Sequence, residues 1–372
     1  MSVRRKLFRN QPLNAVKKKI EMRVSNLLQI ISMCALMGTS YPALAINVEK
    51  ITTLGGLHAW LVQDHTNPII SLRFAFRGGS AIDPKSKSGL ANLVASTIDE
   101  GAGDLNSQAF QQSLEDHAIR MRFDAGIDNF GGSLQTLVPH RDKAFNLLRM
   151  ALMEPRFDRE PLERIRAQIL VRLKRNEESP NEVARKVIRE TLYGDHPYGQ
   201  SPNGTPSALR SITRKDLRGF TKNRFALNNL VIGVVGNILP RELTVVLDKI
   251  FGRLPPRATP WHLPPIRAKT EGQTIVIEKN VPQSAIVFAD QGVLRSDPSF
   301  YAAYVMNHIL GGGIFTSRLY SEVRENRGLA YSISTGLNPR QASATLIGGA
   351  GTANARVRET LEVIKTEWSR MA

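Results

Sequence analysis

Two Asp-Pro pairs, Asp83-Pro84 and Asp297-Pro298, stand 214 residues apart, and a similar order of elements surrounds each. Ahead of the first, residues 69–76 alternate strictly, with Ile70, Leu72, Phe74 and Phe76 on one face, the period of a half-buried strand. Behind it, Leu90, Leu93, Val94 and Ile98 recur at helical spacing, which predicts a helix over 88–99. Around the second pair, strands are expected over 273–278 and 284–291 and a helix over 299–310. Gly311-Gly312-Gly313 follows, then a helix over 317–326, strands over 330–337 and 342–349, and a helix from Asn354. A repeat of this length is an internal duplication, so one α/β unit is built twice.

The rest of the first copy reads as a strand over 48–61, a helix over 108–117 capped by Asn106 or Ser107, and strands over 119–125 and 129–137. Helices over 141–153, 161–176, 182–192, 213–220 and 240–251 follow, with one strand over 229–236. Pro255, Pro256, Pro260, Pro264 and Pro265 favour extended chain between the copies. The second copy runs about half the length of the first and has no counterpart of the elements after Pro155. The expected organisation is a leader over 1–45, a first domain over 46–254, a linker over 255–266 and an incomplete second domain over 267–372. The fold class is α+β, two related sandwich-like domains, each a sheet with helices on one face.

The formal charge of +17 is uneven. Residues 1–45 hold eight Lys/Arg against one acid, Glu21, so this segment accounts for +7 and the remainder for +10. A charge of that size specifies neither nucleic acid nor membrane, and no nucleic-acid function is expected. The basic run from Lys17 to Arg23, the apolar stretch from Leu27 to Met37 and Ala43-Leu44-Ala45 read as a secretory signal cleaved after Ala45. The chain is therefore expected in the periplasm. Cys34, the only cysteine, falls inside that leader, so the mature chain needs no thiol chemistry.

The run from Gly89 to Ser96 (Gly-Leu-Ala-Asn-Leu-Val-Ala-Ser) resembles the inverted zinc motif His-x-x-Glu-His of the pitrilysin and mitochondrial-processing-peptidase family. The turn His196-Pro197-Tyr198 with Gly204-Thr205 is similar to another of its motifs. So are Leu310 through Gly313, Ser317-Arg318-Leu319 and Arg324 through Tyr331 in the second copy. In the inverted motif, two histidines one turn apart hold zinc and the glutamate between them is the general base. Here the histidine positions are Asn92 and Ser96 and the glutamate position is Ala95. The third ligand of the family would fall within 168–173, which contains no carboxylate. No two of the seven histidines lie within five positions of each other, so no replacement site is expected, and Asn92, Ser96 and Asp99 read as a solvated helix face.

The resemblance implies a chain inactive alone. Arg324 and Tyr331 match a pair the family uses against substrate, and both are donors suited to a peptide carbonyl or its oxyanion. Gly328 between them suits a helix C-terminus. Gly311, Gly312 and Gly313 lack the Lys-Ser/Thr of a phosphate loop and read as a close-packed turn, which the family implicates in substrate handling. The expected role is the non-catalytic subunit of a periplasmic zinc-peptidase heterodimer. No cofactor is expected in this chain, zinc would sit in a homologous His-x-x-Glu-His partner, and the substrate would be a peptide or unfolded protein. The alternatives are a structural or peptide-binding protein of the same fold, and a peptidase active by itself.

Overall fold

The structure is a computed structural model that describes residues 46–371; the leader expected over 1–45, Cys34 included, lies outside the described residues. Residues 48–371 gather into one compact unit. No helix among the described residues is long and apolar enough to cross a membrane.

The first copy is a six-stranded sheet in the order β1-β2-β6-β3-β5-β4, with β1 Glu49–Thr52, β2 His58–Gln63, β3 Ile69–Arg77, β4 Arg120–Ala125, β5 Asn129–Leu137 and β6 Leu230–Gly236. Its helices are α1 Leu90–Ala95, α2 Ser107–Asp116, α3 Arg141–Met153, α4 Arg159–Glu178, α5 Pro180–Tyr193, α6 Pro206–Ser211, α7 Arg214–Arg224 and α8 Pro240–Phe251. The alternation in β3 does what its period dictates: Ile70, Leu72, Phe74 and Phe76 are buried, while Arg73 and Arg77 are exposed. Leu90 and Leu93 from α1, Phe145 and Leu148 from α3, Leu217 and Phe220 from α7 and Leu243 and Leu247 from α8 join them in one core. On the other side of the sheet Trp60, Val231 and Val235 stay exposed. Each core side chain of this size contributes roughly 1.5–3 kcal/mol by burial, so the one-sided core accounts for the layer order.

The second copy is a three-stranded antiparallel sheet, β7-β9-β8, with β7 Gln283–Gln291, β8 Ala330–Pro339 and β9 Ala344–Ala353. Helix α9 Phe300–Asn307 passes into π winding over His308–Gly312, a second π stretch covers Tyr320–Glu325, and α10 Val357–Ser369 packs Trp368 against Phe288 of β7. The duplication holds at residue level. β7 is β3 displaced by 214 at both ends, and Phe74 faces Gly132 as Phe288 faces Gly348. A Cβ on either glycine would come within 2.4 Å or 2.3 Å of the opposite ring, so each aromatic needs its glycine.

Four expectations are corrected. The single strand over 48–61 is a hairpin, because the Asp248 carboxylate accepts from Thr53 Oγ1 (2.6 Å) and Gly55 N (3.3 Å) and fixes a turn there. The helix over 88–99 closes at Ala95, where Ser96 Oγ and the Ser96 N–H both bond the Asn92 carbonyl. A short helix over Pro206–Ser211 lies where none was expected, capped by Thr205. Residues 273–278 form no strand: nothing among the described residues pairs with them. Residues 256–282 contain no helix or strand at all, and the prolines are strapped to the first copy through Leu227 N to Pro255 O and Thr259 N to Asn223 O.

Candidate functional site

The helix that carries the run resembling the zinc motif, α1, is positioned from both ends. Gly89 enters it at φ +90°, and a Cβ there would meet Gly204 Cα at 2.8 Å. Gly204, itself at φ +81°, lies against Ser88 O, so the two motif glycines let two loops touch. Asp83 accepts from Ala91 N (3.0 Å) and pairs with Arg224 (3.0 Å), which also donates to Gly79 O and Ile82 O. Burial pushes the Asp83 carboxyl up to about 6 against the opposing pull of Arg224.

Among the described residues, the motif positions on this scaffold hold no histidine and no glutamate. Ala95 is buried among apolar neighbours, Ser96 Oγ is spent on the Asn92 carbonyl, and Asn92 Nδ2 is buried without a partner among the described residues. Asp99 sits on the turn beyond the helix, and burial together with neighbouring Glu100 lifts its carboxyl to about 6. On α4, Gln168 and Arg172 are exposed where a carboxylate ligand would be needed. The residues at these positions therefore do not fit a zinc ion, and no group of three His, Cys, Asp or Glu with metal-holding geometry occurs among the described residues. Folding does bring His117 and His140 edge to face at 5.2 Å, a pairing invisible in their separation along the chain, but among the described residues no acid joins them to hold a metal.

The second copy holds the opposite arrangement. Arg324 lies in the second π stretch, and its guanidinium carbon sits 4.9 Å from the Tyr320 ring centroid and 4.7 Å from that of Tyr331. Among the described residues it enters no ion pair. Tyr331 is 80% exposed and is the extra residue of a β-bulge, since the register steps from Ala330↔Thr352 to Ser332↔Gly351. Bulges and π turns both re-aim side chains, and here one of each points Arg324 and Tyr331 at each other. Gly328 (φ +56°) takes the chain out of the helix, its N–H donating to the Arg324 carbonyl. Sequence reasoning missed Tyr320, although its place four residues before Arg324 was a signal.

The three glycines form a packed turn. Gly311 lies against Thr335, where a Cβ would fall 2.5 Å from Oγ1, and Gly312 lies against the Asn307 amide. Beyond them Ile314 and Phe315 are exposed.

A polar latch joins the copies. Tyr198, 1% exposed, donates through its hydroxyl to Asp128 Oδ1 (2.7 Å) and accepts from Ala342 N (2.9 Å), while Gln341 N donates to Asp128 Oδ2 (3.0 Å). Arg340 stacks over Tyr193 and Tyr198. His196 accepts from Tyr198 N at Nδ1 and donates from Nε2 to Pro264 O, which makes it a structural residue of the turn.

A duplicated fold, with a run like the inverted zinc motif that holds neither its histidines nor its glutamate, defines a peptidase-type scaffold. Residues 59–205 match the insulinase (peptidase family M16) domain and residues 211–372 the peptidase M16 inactive domain, so the chain belongs to the M16 family. It is 28% identical over 272 residues to a Helicobacter pylori protein called non-peptidase homolog YmxG, covering 73% of this chain and 62% of that protein. The solved peptidase M16 inactive domain of Pseudomonas fluorescens superposes with a TM-score of 0.80 at 27% identity, over 87% of this chain and 79% of that one. A protease from Helicobacter pylori shares the fold at TM-score 0.76 and 18% identity, over 88% and 83%.

Proposed function

We propose that this chain is the non-catalytic half of an exported zinc-peptidase pair. A sister subunit carrying His-x-x-Glu-His would bring the metal, and this chain would bring Arg324 and Tyr331 to the peptide being cut. The observation that carries the reading is the Arg324 guanidinium, held between two aromatic rings and, among the described residues, left without an anion, beside a phenol that a bulge turns outward. Aromatic faces orient a guanidinium without consuming its N–H donors, so the fork stays available for a carbonyl or a carboxylate. The relative named a non-peptidase homolog supports the inactive half of the reading.

The test is co-expression with a His-x-x-Glu-His homologue and an assay of peptide cleavage. Arg324→Ala or Tyr331→Phe should lower kcat by about 10²–10³, the cost of one transition-state donor. Unchanged kcat in both variants removes the assigned role. Peptide binding without cleavage in any mixture favours a purely structural or peptide-binding protein.

A further inference from the structure

Two arginines, one from each copy, meet at the junction with no acid paired to either. Arg189 lies in α5, one turn before Tyr193, and Arg340 heads the turn between β8 and β9. That turn is clamped on the first copy. Gln341 N donates to Asp128, Ala342 N to the Tyr198 hydroxyl and Ile266 N to Ala342 O, while Arg340 N closes the turn on Ser343 O. Arg340 therefore has a fixed place, its guanidinium carbon 5.4 Å from the Tyr193 ring centroid and 5.0 Å from that of Tyr198. Arg189 shares a helix face with Tyr193, since residues four apart are neighbours on a helix surface, and so approaches the same ring.

Neither guanidinium is satisfied. Both arginines are partly buried. Arg189 Nε and Arg340 Nη1 are buried without a hydrogen-bond partner, and neither residue enters an ion pair among the described residues. Tyr193, 3% exposed, also keeps a hydroxyl without a partner among the described residues. The acids of the neighbourhood do not answer them. Asp128 accepts from Tyr198 and from Gln341 with its two oxygens, and Glu182 and Glu190 are exposed. Burial holds the Arg189 guanidinium below its usual range, opposed by Glu190 and Glu182 and reinforced by the like charge of Arg340. Two cations in half-buried ground, with donors already desolvated, are costly for the chain by itself and suited to an anion. The faces of Tyr193 and Tyr198 orient Arg340 without occupying its N–H groups.

We propose that the junction binds a small dianionic oxyanion of the phosphate class between Arg189 and Arg340. Two fixed positive charges match a dianion, and two planar forks suit a tetrahedral ion, whereas a carboxylate balances only one of them. One fork belongs to each copy, so occupancy ties α5 to the β8–β9 turn. The site stands at the far end of β8 from Tyr331, roughly 30 Å along the strand, and is independent of the role proposed for Arg324.

The probe is inorganic phosphate, titrated into the full chain at constant ionic strength and followed by calorimetry and by melting temperature. Saturable binding with a rise in melting temperature is expected, and acetate should give neither. Glycerol 3-phosphate carries the same group on a small metabolite, and the tighter of the two phosphates identifies the source. Arg189→Gln and Arg340→Gln should each weaken binding about tenfold or more, the scale of a lost charge-assisted hydrogen bond. In phosphate-free buffer Arg189→Gln should melt no lower than the parent, because it removes an uncompensated repulsion. A guanidinium kept for packing alone would make that variant melt lower, and this result overturns the proposal. So does the absence of saturable binding, or acetate binding as tightly as phosphate. An equal rise in the parent and in Arg189→Gln overturns it too, since phosphate stabilises folded proteins generally through exclusion from their surface.

Discussion

Removing one oxygen, by Tyr198→Phe, tests how firmly the two copies are joined. The hydroxyl accepts the Ala342 N–H and donates to the Asp128 carboxylate. Without it a buried N–H loses its partner, at about 1–3 kcal/mol, and a charge-assisted bond is lost, at roughly 1.5–3 kcal/mol. Asp128 is only partly buried and keeps Gln341 N, so water recovers part of the second amount. The ring survives, and with it the stacking of Arg340 at 5.0 Å. The net expectation is a loss of about 2–4 kcal/mol in urea unfolding, without the cavity cost of a larger truncation. Alkaline titration gives an independent reading. Burial and Asp128 hold the Tyr198 phenol well above its usual range. The unfolded chain releases this proton near pH 10 and the folded chain does not, so stability falls as pH rises past about 10. A change below about 1 kcal/mol, or a Tyr198 that ionises with the other tyrosines, refutes the latch.

Gly348→Ala drives a Cβ toward the Phe288 ring and should cost about 1–3 kcal/mol, measured by chemical denaturation; no loss would mean the ring is free to move aside. Arg224→Ala leaves Asp83 buried without its cation and should cost about 3–5 kcal/mol, whereas a surface pair would cost under about 1 kcal/mol. Asp83 and Asp99 both have carboxyls raised to about 6. A raised acid favours the folded state below the unfolded value near 4 and loses that contribution as pH climbs through about 6. Stability should therefore decline between about pH 4 and 6 from these groups, and Asp99→Asn should flatten the slope measured by urea unfolding.

Elements whose boundaries are written in local chemistry were legible in the sequence. Helices α3 and α8 fall on the expected residues 141–153 and 240–251, where apolar periodicity runs between clear breakers, and β5 begins and ends as its turn residues imply. The duplication was legible too, down to the 214-residue displacement. The features that escaped depended on partners or on broken periods. Residues 273–278 have a strand's composition, but a strand exists only when something pairs with it. The residue types at the motif positions were readable directly. The sandwiching of Arg324 was not, because constant periods of about 3.6 and 2.0 contain neither the π turn nor the bulge.

Those two irregularities have a bearing on how such a pair is inherited. A π turn and a bulge each hold one residue more than the regular element around them. Arg324 and Tyr331 therefore meet by count as much as by identity. Deleting one residue from Tyr320–Glu325 would rewind the stretch to ordinary helix and swing the chain beyond it by about 100°, carrying the guanidinium off both rings with neither Arg324 nor Tyr331 replaced. A lineage that keeps the arginine and the tyrosine but loses a residue between Leu319 and Ser332 has lost the contact all the same.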